Sequence, residues 1–295
     1  MNARYASVDI GTNTAKLLIG ESRDGILQPV FQRAEATRIG RNVSVTGRIS
    51  EEAYAALELV LRSYAQDVRD QGAVLVGAIA TQAFRMASNG QELLEKAAAV
   101  LGCEARTIAG PEEARLGWLA VANRHPAADL AVLDIGGGST EATRKREGIS
   151  TPIGAVVLLE ACGPDATACR AKAREAFVGF PDWGPLRWAA VGGTATAFAM
   201  LELGLEKYDS EAIEGLEVAR TRVTERIEQL AAMTTAELLA IPGLGQGRAD
   251  IVMPGLCILE AFLQQTGQEK VLISDRGIRY GLLVDWLRRR RAAVP

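Results

Sequence analysis

The sequence predicts a two-domain α/β protein whose mixed sheets are flanked by helices, and three observations carry that prediction. The first is an internal duplication. Ser7-Val8-Asp9-Ile10-Gly11-Thr12-Asn13-Thr14 returns as Val132-Leu133-Asp134-Ile135-Gly136-Gly137-Gly138-Ser139-Thr140, 125 residues later (134 − 9). The second is an alternation of strand-like and helix-like segments that runs once through each half. The third is length: 295 residues suffice for two domains, each with a core of its own.

The elements follow in order. Strands are expected over 4–10, 15–20 and about 28–38. A helix over about 50–70 starts at Ser50 as cap, places Glu51 and Glu52 in its first turn, and closes at Gly72. Its apolar stripe is Tyr54, Leu57, Leu61, Tyr64 and Val68. The continuous apolar run 73–80 reads as a strand buried on both faces. A helix over about 91–101 ends at Gly102, a strand follows at 104–108, and a helix opens at Gly110-Pro111-Glu112-Glu113-Ala114 and reaches about 122.

The second half starts the same way, with strands at 130–135 and 140–145 and a third near 149–153. Helices are expected at about 166–177, 194–203, 216–233 and 235–241, with a strand at 188–191 ahead of Gly192-Gly193-Thr194. A helix over 248–265 should kink or divide at Pro254-Gly255. A strand at 270–274 and a helix over about 279–290 complete the order. The expected domains are 1–124 and 125–295, the last helix being able to pack back on the first lobe.

Composition narrows the functions. Hydrophobic content of 48% with 23% charged residues is that of a globular protein. No apolar run nears the ~18 residues of a membrane span, and a strand starting at Arg4 leaves no room for a leader, so a cytoplasmic protein is expected. The four cysteines form no C-x-x-C pair and His125 is the only histidine, which points to buried reduced thiols rather than structural zinc. His125 lies in Asn123-Arg124-His125-Pro126, which reads as a solvated loop. With one histidine and no G-x-S-x-G, a Ser-His-Asp hydrolase is disfavoured. The net charge of −3 gives no reason to expect nucleic acid; a polyanion would need locally concentrated Arg and Lys.

The duplicated phrase carries the chemistry. Each copy is an apolar run ending in Asp, a turn rich in Gly, Thr, Ser or Asn, and a returning segment. That is a hairpin whose tip offers a carboxylate and a row of backbone N–H groups. Such rows bind phosphate oxygens, and the carboxylate can hold magnesium through water. Two copies suggest a duplicated domain facing itself across a phosphate site. Plainer readings stand beside this one: Asp9 and Asp134 as turn formers, Gly192-Gly193-Thr194 as a helix cap, and Glu112 and Glu113 as dipole partners able to exchange roles. The run Arg288–Arg291 reads as a solvated helix end, with a polyphosphate track as its alternative.

The fuller motif set resembles the exopolyphosphatase/guanosine-pentaphosphatase (Ppx/GppA) family of the actin-like ATPase superfamily. It comprises Asp9-Ile10-Gly11-Thr12-Asn13-Thr14, Ala80-Thr81-Gln82-Ala83-Phe84-Arg85, Gly110-Pro111-Glu112-Glu113-Ala114-Arg115, Asp134-Ile135-Gly136-Gly137-Gly138-Ser139-Thr140-Glu141 and Val191-Gly192-Gly193-Thr194. Gly247-Arg248-Ala249-Asp250 and Ser274-Asp275-Arg276-Gly277-Ile278-Arg279-Tyr280-Gly281 follow near the end. By contrast, Gly243-Leu244-Gly245-Gln246-Gly247 follows a helix and is a poor dinucleotide loop.

The resemblance implies two actin-like (ribonuclease H-like) lobes with the active site in the cleft between them. It also implies release of the terminal phosphate of polyphosphate, or of guanosine pentaphosphate (pppGpp), with magnesium or alternatively manganese. Carried onto this chain, the catalytic base is Glu113 and the metal-linked acids are Asp134 and Glu141; on chemical grounds Asp9 would join them around one hard cation. The phosphate contacts are Gly11, Thr12, Asn13, Thr14, Gly136, Gly137, Gly138 and Ser139, with Arg85 on substrate and Gly193 and Thr194 lining it. A homodimer is also implied. A non-catalytic polyphosphate or alarmone sensor is the alternative from another class. The stretch 163–187 matches nothing in the family, and the helical C-terminal domains of longer members are not recognised, so high processivity on long chains is not expected.

Overall fold

The computed structural model describes residues 3–145, 147–244 and 248–292, which gather into two compact units. One runs to Pro126 and takes up the chain again from Arg276; the other is Ala127–Asp275.

The first unit opens with an antiparallel meander, β1 (Arg4–Ile10), β2 (Thr14–Arg23) and β3 (Ile26–Ala36). Asp24 and Gly25, both with positive φ, make the two-residue turn into β3. A short α1 (Val43–Thr46) precedes α2 (Glu51–Asp70), which the Ser50 hydroxyl caps by accepting from the Ala53 amide at 3.2 Å. The predicted stripe from Tyr54 to Val68 is the face that α2 buries. Then come β4 (Val74–Ala80), α3 (Gln82–Met86), α4 (Gly90–Leu101), β5 (Ala105–Thr107) and α5 (Gly110–Arg124). The sheet order is β3-β2-β1-β4-β5, with β1, β4 and β5 parallel. Only the C-terminal half of β4 is buried, and Val74 is exposed, so that strand is not covered along its whole length.

The second unit repeats the plan. β6 (Leu130–Ile135), β7 (Thr140–Arg144) and β8 (Glu147–Thr151) form an antiparallel meander. They lead into α6 (Ala155–Cys162), α7 (Ala166–Ala176), β9 (Arg187–Val191) and α8 (Gly192–Leu203). After α9 (Ser210–Ile213), β10 (Glu217–Ala219), α10 (Arg220–Ala231) and α11 (Thr235–Ala240) come α12 (Val252–Gln265) and β11 (Lys270–Ile273). The order is β10-β11-β9-β6-β7-β8, with β6, β9 and β11 parallel. Residues Val252 to Leu263 of α12 are all buried, which makes it the central helix of this unit's core.

The chain closes with α13 (Ile278–Ala292), which groups with the first unit. The reason is close packing. Tyr5 meets Trp286 at 4.6 Å between ring centroids, and the Ser7 hydroxyl donates to the Arg279 carbonyl at 2.8 Å. Gly281 lies so near α5 that a Cβ there would stand 2.0 Å from the Leu116 carbonyl oxygen.

Several local expectations are corrected. Residues 216–233 are not one helix: the edge strand β10 pairs antiparallel with β11 before α10 begins. α12 starts at Val252, not 248, so Pro254 sits in the first turn, where its missing N–H breaks no helical bond and no division follows. α5 extends through Asn123 and Arg124, so the supposed loop is a helix end. Helices α1, α3, α6 and α9 are too short or too uniformly apolar to show in the pattern. The stretch 163–187 contributes to the core: Phe177 and Phe180 meet Phe262 edge-on, and Trp183 stacks on Trp188 at 5.8 Å. Gly245, Gln246 and Gly247 lie outside the described residues.

Candidate active site

In the first unit, the sequence-predicted residues come together at the carboxyl ends of the parallel strands, the usual ligand edge of an α/β sheet. β1 ends in the turn Gly11–Thr14, closed by Gly11 N donating to Thr14 O at 3.1 Å. The Thr12 carbonyl accepts from Gly40 N (2.8 Å), and the Asn13 carbonyl accepts from Thr37 N and Arg38 N (3.0 and 2.9 Å). Because trans peptides oppose C=O and N–H, the amides of Asn13 and Thr14 face away from that loop. β4 ends at Ala80; the next residue, Thr81, donates its amide to Ile10 O at 3.3 Å and caps α3, which carries Arg85. β5 leads into α5, with Glu112 and Glu113 in its first turn.

The structure separates those two acids. Glu112 makes a forked pair with Arg106 at 2.6 and 2.9 Å, and that hydrogen bonding holds its carboxyl below the usual carboxylate range. Glu113 is turned inward, its side chain 7% exposed, and Arg85 Nη1 donates to its Oε2 at 3.1 Å. The same Nη1 also donates to the Ile108 carbonyl. Arg85 is thus brought to the carboxylate proposed as base.

Asp9 is buried and its Oδ1 has no hydrogen-bond partner among the described residues. Burial pushes its pKa up, and the positive charges of Lys16 and Arg279 oppose that rise. Lys16 stands directly across the strand pair from Asp9. Sequence reasoning missed it, although it occupies the offset that Glu141 holds in the second copy (16 − 9 = 141 − 134).

In the second unit, β6 and β7 repeat the hairpin, with Gly136 N donating to Ser139 O at 2.9 Å. Here the turn carbonyls are taken by a helix start: Ala155 N donates to Gly136 O and Val156 N to Gly137 O, both at 2.9 Å. Asp134 and Glu141 face each other in register on one side of the sheet, both buried. Ser150 donates to Glu141 Oε1 at 2.7 Å. Gly192, with φ +94°, passes so close to Asp134 that a Cβ would lie 2.6 Å from Oδ1. It belongs to the predicted glycine turn but not to the predicted contacts, and only this close approach reveals its part. Thr194 is buried inside α8 against Gly255, and the α8 cap is Val191 without a side-chain bond, so the capping reading of that turn does not hold. Gly193 has nothing near its open side.

In the first unit the unpartnered Asp9 oxygen, and in the second the facing carboxylates of Asp134 and Glu141, are each donors of the type a hard cation takes, so the residue types fit magnesium. Among the described residues no group of three or more His, Cys, Asp or Glu is arranged as a ready-made metal cluster. No helix among them is long and apolar enough to cross a membrane. All four cysteines are free, and burial pushes the Cys169 and Cys257 thiols up to about 12.

Comparison with known proteins shows the family and the fold. The profile of the Ppx/GppA phosphatase family matches residues 18–290. Exopolyphosphatase 2 of Mycobacterium tuberculosis is 29% identical over 95% of this chain and 97% of its own length. The crystal structure of the Aquifex aeolicus Ppx/GppA family member superposes with a TM-score of 0.82 at 28% identity, covering 98% of this chain and 99% of that one. An exopolyphosphatase from Cytophaga hutchinsonii gives 0.86 at 26% identity, covering 97% and 98%.

Proposed function

We infer the activity from membership: the chain belongs to the Ppx/GppA phosphatase family, a family of phosphoanhydride hydrolases, and we propose that it is an exopolyphosphatase. It would remove the terminal phosphate of inorganic polyphosphate. The observation that supports this most is the division of labour at the start of α5. Glu112 is committed to Arg106, whereas the buried Glu113 rests on Arg85.

Glu113 would accept a proton from the attacking water. The water oxygen bonds to the terminal phosphorus, the bridging P–O bond breaks, and its electron pair leaves on the shortened chain. Arg85 holds Glu113 through one terminal nitrogen, and its other guanidinium donors would take phosphate oxygens. The amides at Gly11–Thr14 and Gly136–Ser139, with Lys16, would neutralise the remaining oxygens. Asp9, Asp134 and Glu141 are the carboxylates proposed to hold a divalent cation, magnesium first and manganese second, which when bound would offset phosphate charge.

Phosphate release by purified protein from polyphosphate and from pppGpp tests the reading. Polyphosphate should be the better substrate. A preference above about tenfold for the guanosine compound, ~1.4 kcal/mol, would assign the same machinery to pppGpp 5′-phosphohydrolysis. Binding without any turnover would make the protein a sensor. A homodimer and a cytoplasmic setting are also proposed, and light scattering and cell fractionation check them.

A further inference from the structure

The two hairpins differ in what their third strands place beside the second. In the first unit Asp9 pairs with Lys16, and Lys16 with Ala34, across β1, β2 and β3. In the second, Asp134 pairs with Glu141, and Glu141 with Ser150, across β6, β7 and β8. The hydroxyl stands in the copy whose returning strand carries the acid, and the other copy has alanine there. We propose that Ser150 is a positioning residue, whose hydroxyl fixes the Glu141 carboxylate so that it and Asp134 together hold a divalent cation. The inference rests on the reading of Glu141 as a cation ligand and adds a residue outside the motifs that carry the family resemblance.

Residues directly opposite one another on adjacent strands share a face, so Asp134, Glu141 and Ser150 form one row. Ser150 Oγ donates to Glu141 Oε1 at 2.7 Å, the length expected of a hydroxyl on a carboxylate. Glu141 is 1% exposed, whereas Ser150, on the last strand of the sheet, is exposed. Two carboxylates facing each other repel, and a glutamate side chain has several rotamers by which to swing away. A bond to one of its oxygens opposes that swing and presets the pair for a cation.

The strand that carries Ser150 is itself tied to the hairpin. Just beyond β8, Ile153 O accepts from Thr140 Oγ1 at 2.6 Å. Gly154 passes so near the glycine turn that a Cβ would stand 2.4 Å from the Gly137 carbonyl oxygen. Ala155 N and Val156 N then close on Gly136 O and Gly137 O. The continuous stretch 150–156 therefore fixes both the carboxylate and the turn, and the register of Ser150 against Glu141 does not depend on β8 pairing alone.

The test compares wild type with Ser150→Ala, Ser150→Thr and Ser150→Cys. Manganese binding is followed by the electron paramagnetic resonance of the free ion, beside urea unfolding and magnesium titrations of phosphate release from polyphosphate. Ser150→Ala should weaken manganese binding about tenfold and raise the magnesium needed for half-maximal rate by a similar factor. Its urea midpoint should stay near wild type, because Ser150 is exposed. Ser150→Thr keeps the hydroxyl and should restore both constants. Ser150→Cys keeps the shape with a weaker donor, should fall between Ala and wild type, and carries the test if the Ala variant unfolds. Manganese affinity of Ser150→Ala within about twofold of wild type overturns the proposal. So does a Ser150→Thr protein no better than Ser150→Ala, a Ser150→Cys protein equal to wild type, or a wild type that binds no manganese. Failure of the hydrolytic reading is distinguishable, because it would appear as absent phosphate release by the wild type while manganese binding still separates wild type from Ser150→Ala.

Discussion

Replacing Gly192 by Ala should damage stability and turnover together. The residue sits at φ +94°, and a Cβ would meet Asp134 Oδ1 at 2.6 Å and Ile135 O at 2.8 Å. An L side chain at such a φ costs about 1–3 kcal/mol, and forced contacts in packed regions cost a similar amount. Partial relaxation leaves about 2–5 kcal/mol in total. The carboxylate must retreat by roughly 0.7 Å to restore ordinary contact, and displacements near 1 Å at a reacting centre cost about a hundredfold in rate. Gly193→Ala is the internal control, since nothing lies within 4 Å of its open side and its φ is not positive. The assay is urea unfolding beside initial rates of phosphate release across a magnesium titration. Gly192→Ala should lower the unfolding midpoint, cut kcat and raise the magnesium needed for half-maximal rate, with Gly193→Ala close to wild type in stability. A Gly192→Ala protein with wild-type midpoint and rate would refute the account of Asp134.

The neighbouring acids of α5 should respond oppositely to the same change. Glu113→Gln should lose about a hundredfold or more in kcat while still binding polyphosphate, whereas Glu112→Gln should keep its rate within a few-fold; phosphate-release kinetics on both decide it. Glu112 also gives a pH signature. Hydrogen bonding to Arg106 lowers its pKa from 4.5, so its stabilising contribution is full above that value and disappears as pH falls through the lowered folded value. Unfolding midpoints of Glu112→Gln should therefore differ from wild type at neutral pH and converge with it in acid.

What the sequence made legible follows physical range. Strand β1 and the α2 stripe were readable because alternation, capping and 3.6-residue periodicity are local. The duplicated hairpins were readable because a repeat needs no tertiary knowledge. Strand β10 was hidden because three residues gain their identity only from pairing with β11. Helix α6 was hidden because its apolar residues show no stripe, and Pro254 misled because a proline's effect depends on where the helix starts. At the site, the commitment of Glu112 to Arg106 joins a strand to the following helix, and the nearness of Gly192 to Asp134 joins residues far apart in the chain at an unusual φ; no spacing rule reports either. Lys16 could have been found by laying one hairpin over the other.

The central claim is that Glu113-activated water attacks the outermost phosphorus. Hydrolysis of polyphosphate in water enriched in oxygen-18, with mass analysis of the products, tests it most directly. The account predicts one heavy oxygen in each released orthophosphate and none in the shortened chain. Label appearing at the new chain end, with unlabelled orthophosphate, would contradict it.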